Sequence, residues 1–187
     1  MPNTLDTLRS RRSIRQFSAH TPTREQIESI LDAAVLAPNH RLTQPWRFYV
    51  LGPDARHAYG LALGNRKAKK IEDPAAADSM RNKVADEHKS LPLMIAVSFV
   101  EDANPEIRDE DLAATMMAVQ NISLAAVEAG LGTHIKTGAI MNDPAARAAL
   151  GVPEGERIVA VLNVGEPEVI PPAKERKSAA SLTTWVA

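Results

Sequence analysis

An α+β fold is predicted by three observations. Segments with helical periodicity are interleaved with short apolar strands, without the regular strand–helix alternation of a doubly wound sheet. No segment repeats another. The length of 187 residues suits one domain, 1–187, large enough to bury a real core. Hydrophobic residues at 44% and charged residues at 24% are the proportions of an ordinary globular chain rather than a disordered one.

The elements follow in order. A short helix is expected from Leu5 to about Ser10. Thr23 and Gln26 have capping-box spacing, and Ile27, Ile30, Leu31 and Ala34 then form an amphipathic stripe that Pro38 stops. After the loop 39–45, Trp46 to Leu51 reads as a strand, and Gly52-Pro53-Asp54 opens a helix to about Lys67. Residues 68–90 are polar and read as a mobile excursion with some helix. Leu93 to Val100 is continuously apolar, the pattern of a buried strand. From Asp109 to Ala129 the composition is helical, with so few polar faces that burial nearly all round is expected.

Gly130 and Gly132 end that helix and lead into a strand from Thr133 to Thr137. Asn142-Asp143-Pro144 starts a short helix reaching Leu150, and Arg157 to Val164 is the last strand. Beyond it, Pro167, Pro171 and Pro172 precede a basic knot, Lys174-Glu175-Arg176-Lys177, and a lone Trp185. This reads as an extended arm covering about 166–187, long enough at ~3.3 Å per residue to cross onto a second subunit.

Composition narrows the function. A formal net charge of −1 argues against a nucleic-acid partner, which favours a basic surplus. The absence of cysteine excludes disulfides, thiolate metal sites and cysteine nucleophiles. No signal peptide opens the sequence, and no apolar run reaches the ~20 residues that span a bilayer. A cytoplasmic protein without membrane contact is therefore expected. The phosphate-binding glycine motifs G-x-G-x-x-G and G-x-x-x-x-G-K-[ST] are absent, as is the G-x-S-x-G serine elbow. Five scattered histidines lack metal-ligand spacing, so no metal site is expected. Glu101-Asp102 and Glu110-Asp111 read as solvated charges, and Met116 and Met117 as core filler.

Three features point to chemistry. Arg11-Arg12-Ser13-Ile14-Arg15 crowds three guanidinium groups and a hydroxyl into five residues. Arginine forks donate paired hydrogen bonds to phosphate oxygens, although a basic helix end is an equal reading of these residues alone. His40 lies in a loop pinned between a helix and a strand, where an ordinary surface histidine is the competing reading. Lys136 and Thr137 would sit on a short interior strand. A buried lysine there needs an anion, unless it snorkels from an edge strand.

Four segments together resemble the nitroreductase-like flavoprotein family. They are Arg-Arg-Ser-Ile-Arg-Gln-Phe at 11–17, Ala-Pro-Asn-His-Arg-Leu-Thr-Gln-Pro-Trp-Arg-Phe at 37–48, Gly-Leu-Gly-Thr-His-Ile-Lys-Thr-Gly at 130–138, and Gly-Glu-Pro at 165–167. The Pro-Asn-His version of the second, where serines are common, is similar to the small single-domain NAD(P)H nitroreductase branch. The resemblance implies a sandwich with a central, mainly antiparallel sheet flanked by helices. It also implies a domain-exchanged homodimer with an extended C-terminal arm and FMN at the subunit interface.

By that similarity, Arg11 and Ser13 hold the FMN phosphate, with Arg12 in the same region and Arg15 toward the pyrimidine edge. Asn39 and His40 come from the partner subunit, while Ile135, Lys136 and Thr137 line the cofactor and Arg176 contacts the phosphate. The implied activity passes hydride from NAD(P)H through flavin N5 to a nitroaromatic, quinone or similar acceptor by a ping-pong mechanism. No protein side chain then acts as the catalyst. A flavin-destroying or dehalogenating enzyme and a non-enzymatic flavin-binding or storage protein are the alternatives within the same fold.

Overall fold

The structure is a computed structural model that describes residues 3–186. Met1 and Pro2, and Ala187 at the end of the expected arm, lie outside the described residues. Among the described residues, six α-helices and four strands run in the order α1 (Thr4–Ser10), α2 (Arg24–Ala34), β1 (Trp46–Leu51), α3 (Pro53–Ala68), α4 (Pro74–Lys89), β2 (Leu93–Val100), α5 (Pro105–Glu128), β3 (Gly132–Lys136), α6 (Pro144–Leu150) and β4 (Glu156–Gly165). The strands form one antiparallel sheet in the order β1-β2-β4-β3. The expected α+β class with an antiparallel sheet is observed.

Helices cover both faces of the sheet, which is why β2 reads as continuously apolar rather than alternating. On one face Ile95, Val97 and Phe99 of β2 pack with Ile30 of α2 and Ala118 and Ile122 of α5. On the other, Met94 and Ala96 pack with Tyr59 of α3, Leu150 of α6 and Val161 of β4. Helix α4 lies against α3, and the two approach closely: a Cβ on Gly60 would come within 2.7 Å of Ala85 Cα.

Local sequence explains the boundaries. The Thr23–Gln26 capping box forms with both of its reciprocal hydrogen bonds. Four helices begin with proline at the first turn, where its missing N–H has no helical partner to lose.

Several expectations are corrected. Residues 68–90 are not an irregular excursion, because Pro74–Lys89 is a regular helix whose Asp73 side chain caps the Ala76 N–H at 2.9 Å. Helix α5 starts at Pro105 rather than Asp109, since Asn104 caps the Glu106 N–H at 3.0 Å. It is also not buried all round: Met116 and Met117 are about two-fifths exposed, at 39% and 41%. Strand β3 ends at Lys136, which leaves Thr137 beyond it and exposed. Past β4, residues 172–186 are exposed along their whole length, with one 3-10 turn at Ala179–Leu182.

Candidate functional site

The arginine cluster leaves the end of α1 in an extended path beside β3. The Ile14 N–H donates to the Thr133 carbonyl at 2.9 Å, and Ser13 bridges Thr133 in parallel. Ile14 is buried against Gly132, so its neighbours Ser13 and Arg15 alternate outward and are exposed. Glycine is required at 132 by this approach, because a Cβ there would meet Ile14 Cγ1 at 2.3 Å and Pro167 Cγ at 3.1 Å. The same segment is stitched to the start of the arm. Ser18 N–H donates to the Glu166 carbonyl at 3.0 Å, and Glu168 N–H to the Gln16 carbonyl at 3.1 Å.

These contacts open a cleft of about 890 Å³ between the first helix, the arginine segment and the arm. Arg11, Arg12, Ser13 and Arg15 line one side, and Lys174 and Arg176 face them from the arm. Leu5 and Leu8 of α1, with Val169 and Pro171, supply an apolar wall. Among the described residues, none of these five cations apart from Arg12 finds a hydrogen-bond acceptor within the chain, and none of the five is in an ion pair. Arg12 is different. Its guanidinium donates to the Arg9 carbonyl at 2.6 Å and the Arg11 carbonyl at 3.0 Å, satisfying the end of α1, while its Nε is buried without a partner.

The other expected residues lie elsewhere in the chain. Ile135 packs against the core on the α5 side of the sheet. Lys136 is half-buried, with its Nζ 3.5 Å from His88 Nε2. Burial holds its ammonium below the usual lysine range, with Lys67 adding to the effect and Glu87 opposing it. His134, between the cluster and Lys136, is kept below the usual histidine range by burial, then by Lys136 and Arg15.

Asn39 and His40 lie at the N-terminal end of α5. Asn39 Oδ1 accepts from the Gln44 N–H at 2.8 Å, and its amide nitrogen reaches Thr43 Oγ1 at 3.1 Å. His40 Nδ1 sits 2.9 Å from Glu110 Oε1, and Arg41 Nε donates to Glu110 Oε2 at 3.0 Å. Those two donors hold the Glu110 carboxyl below the usual range, the histidine contributing first. Glu110 and Asp111 are thus not the solvated charges expected: Asp111 is buried and accepts hydrogen bonds from Thr43 and Asn39. Leu42 and Gln44 adopt left-handed φ values of 51° and 46°, so these side-chain bonds also hold a strained loop.

One chain therefore gathers Arg11, Arg12, Ser13, Arg15 and Arg176 around one cleft, sets β3 beside it, and leaves Asn39 and His40 apart. Arg9 and Gln16 also line the cleft, and His88 touches Lys136; sequence reasoning singled out none of these. Arg9 adjoins the cluster and could have been included. Gln16 and His88 carry no local signal.

The family model described as Nitroreductase family matches residues 8–166. The chain belongs to the nitroreductase family. The Bacillus subtilis (strain 168) protein named "Putative NAD(P)H nitroreductase YfhC" is 34% identical over 171 residues, covering 91% of this chain and 88% of its own. A nitroreductase-like family protein from Bacillus cereus superposes with a TM-score of 0.86 at 27% identity, over 100% of this chain and 97% of that one. A Desulfovibrio desulfuricans structure in complex with FMN gives a TM-score of 0.74 at 27% identity, over 100% and 99%. The nitroreductase-like fold is therefore that of this family member. Among the described residues no helix is long and apolar enough to cross a membrane.

Proposed function

We propose that the protein is an FMN-dependent oxidoreductase that takes hydride from NAD(P)H and reduces a nitroaromatic, quinone or similar acceptor by a ping-pong mechanism. The observation that carries this reading is the cleft: Arg11, Arg15, Lys174 and Arg176 face it without a counter-anion among the described residues, beside an apolar wall. That donor set fits a phosphate monoester attached to a largely apolar body. Like charges held this close repel one another unless an anion neutralises them.

Arg11 and Ser13 are the phosphate anchors in this reading, and Arg176 closes over the phosphate from the arm. Arg12 contributes its place in the cluster, but its NH1 is committed to the end of α1. Arg15, one step along the extended segment, serves the pyrimidine edge. Bound FMN would supply hydride acceptance and donation at its N5, so the chain need not provide a nucleophile. The residues Ile135, Lys136 and Thr137 form the adjoining border, where a cation such as Lys136 or Arg15 stabilises negative charge that develops on reduction.

Asn39 and His40 reach the site from a second copy of the chain, as a homodimer with exchanged arms would place them. Exposed apolar residues support that assembly. Leu36 of the α2–β1 connection is 79% exposed, and Trp185 and Val186 of the arm are 92% and 91% exposed, an unusual load for a free surface.

Colour and bleaching test the proposal. The purified protein is expected to be yellow or to bind added FMN, to bleach with NADPH or NADH under anaerobic conditions, and to regain colour with a nitroaromatic. A colourless protein that ignores FMN overturns the reading. Flavin that binds but never bleaches indicates storage rather than catalysis.

A further inference from the structure

We propose that His88, carried by α4, is the positioning residue for Lys136, presenting a neutral acceptor that fixes the ammonium without cancelling its charge. The inference rests on the reading that Lys136 serves the flavin. His88 is 5% exposed, and its Nδ1 lies 2.7 Å from the Val84 carbonyl oxygen. A carbonyl can only accept, so Nδ1 carries the ring proton and Nε2 presents its lone pair. Lys136 Nζ lies 3.5 Å from that atom and is the only one of the two with a proton to give. The ring cannot withdraw. Tyr59 of α3 meets it edge-on at 5.7 Å between centroids, and a Cβ on Gly60 would already lie 3.0 Å from His88 Cβ.

The choice of an imidazole matters chemically. A carboxylate at this place would neutralise Lys136 and compete with any anion brought to it. A neutral imidazole holds the ammonium and leaves its full charge available. The surrounding charges agree with a neutral ring. Lys136 faces it from β3 and Lys67 from α3, and Glu87 on its own helix opposes them. Burial comes first among the causes that keep His88 below the usual histidine range, followed by those two lysines, against the Val84 bond and Glu87.

Nitrogen-15 NMR of the purified protein tests the contact itself. His88 is expected as the Nδ1–H tautomer, and Lys136→Met should raise its titration midpoint by removing a neighbouring cation. An Nε2–H tautomer, or a midpoint indifferent to Lys136→Met, overturns the proposal. The consequence is read from the ratio of dissociation constants for reduced and oxidised FMN. Lys136→Met and His88→Leu should each raise that ratio about three- to tenfold, the size of a single hydrogen-bonded contact. The double variant should do no more than Lys136→Met alone, and His88→Gln, with an amide oxygen near the Nε2 position, should restore most of the loss. In the wild type the effect should fade as His88 protonates at low pH, whereas in His88→Gln it should not. A Lys136→Met effect without a His88→Leu effect overturns the positioning role alone. No effect of Lys136→Met overturns both that role and the part assigned to Lys136 in the proposed function.

Discussion

Arg11 and Arg12 are adjacent, yet the structure separates what their removal should do. Among the described residues the Arg11 side chain has no hydrogen-bond or ion-pair partner, so Arg11→Ala should leave folding intact and weaken FMN binding roughly 10- to 150-fold, the value of one charge-assisted bond. Fluorescence titration with FMN checks this. Arg12 donates to two carbonyls at the end of α1, so Arg12→Ala should cost about 1 kcal/mol of stability in the flavin-free protein, read by chemical denaturation. The histidines give a pH dependence. His88 and His134 are both held below the usual 6.5, so the unfolded chain binds more protons than the native one as the pH falls. Stability should therefore decline as the pH drops from about 6.5 through the two folded midpoints, and His88→Gln should flatten the decline. Denaturation at pH 7.5 and pH 5 measures it. At this scale the arginine cluster was legible because its members are contiguous, whereas the placement of Arg176 across the same cleft depends on the path of the arm and was not. His88 was illegible, since its meaning depends on a helix and a strand meeting 48 positions apart in sequence.

Elements position these residues, and β3 is the one on which most depends. Gly132→Ala would force a methyl group against Ile14 and Pro167, the two flanks that fix the arginine segment. A loss of about 1–3 kcal/mol is expected from such overpacking, together with weaker FMN binding. Ile14→Ala in the same chain should return part of the stability, and a thermal melt of the three variants decides the matter. The sequence marked Gly132 as the end of a helix, and the structure assigns it to a close crossing instead. Helix α4 shows the opposite failure. Its Asp73-Pro74 start has the same form as the Asp143-Pro144 start that was recognised. However, its buried stripe is only Ala77, Val84, Ala85 and His88, too weakly apolar to announce a helix. It forms because it covers α3, a tertiary cause that no local window contains.

For the whole molecule, the class was legible because apolar runs and caps are local. The pairing order β1-β2-β4-β3 was not, since it is set by which faces bury one another. Assembly is likewise written in surfaces rather than motifs. Ending the chain after Pro172 removes Lys174 and Arg176 from the cleft and the apolar Leu182, Trp185 and Val186 from the surface. The truncated protein should elute later than the full chain on size exclusion, by more than the lost mass explains, and should release FMN. Unchanged elution and flavin content would count against the exchanged arm. The stitching of residues 16–18 to residues 166–168 also has a consequence during synthesis. One wall of the cleft is made within the first 16 residues and the other from residues 169–176, so the first must wait on the ribosome for the second, roughly 10–30 s at ordinary translation rates. In the proposed reading neither wall alone can hold the phosphate, so flavin capture follows closure of the cleft, and FMN added to flavin-free folded protein should still load it.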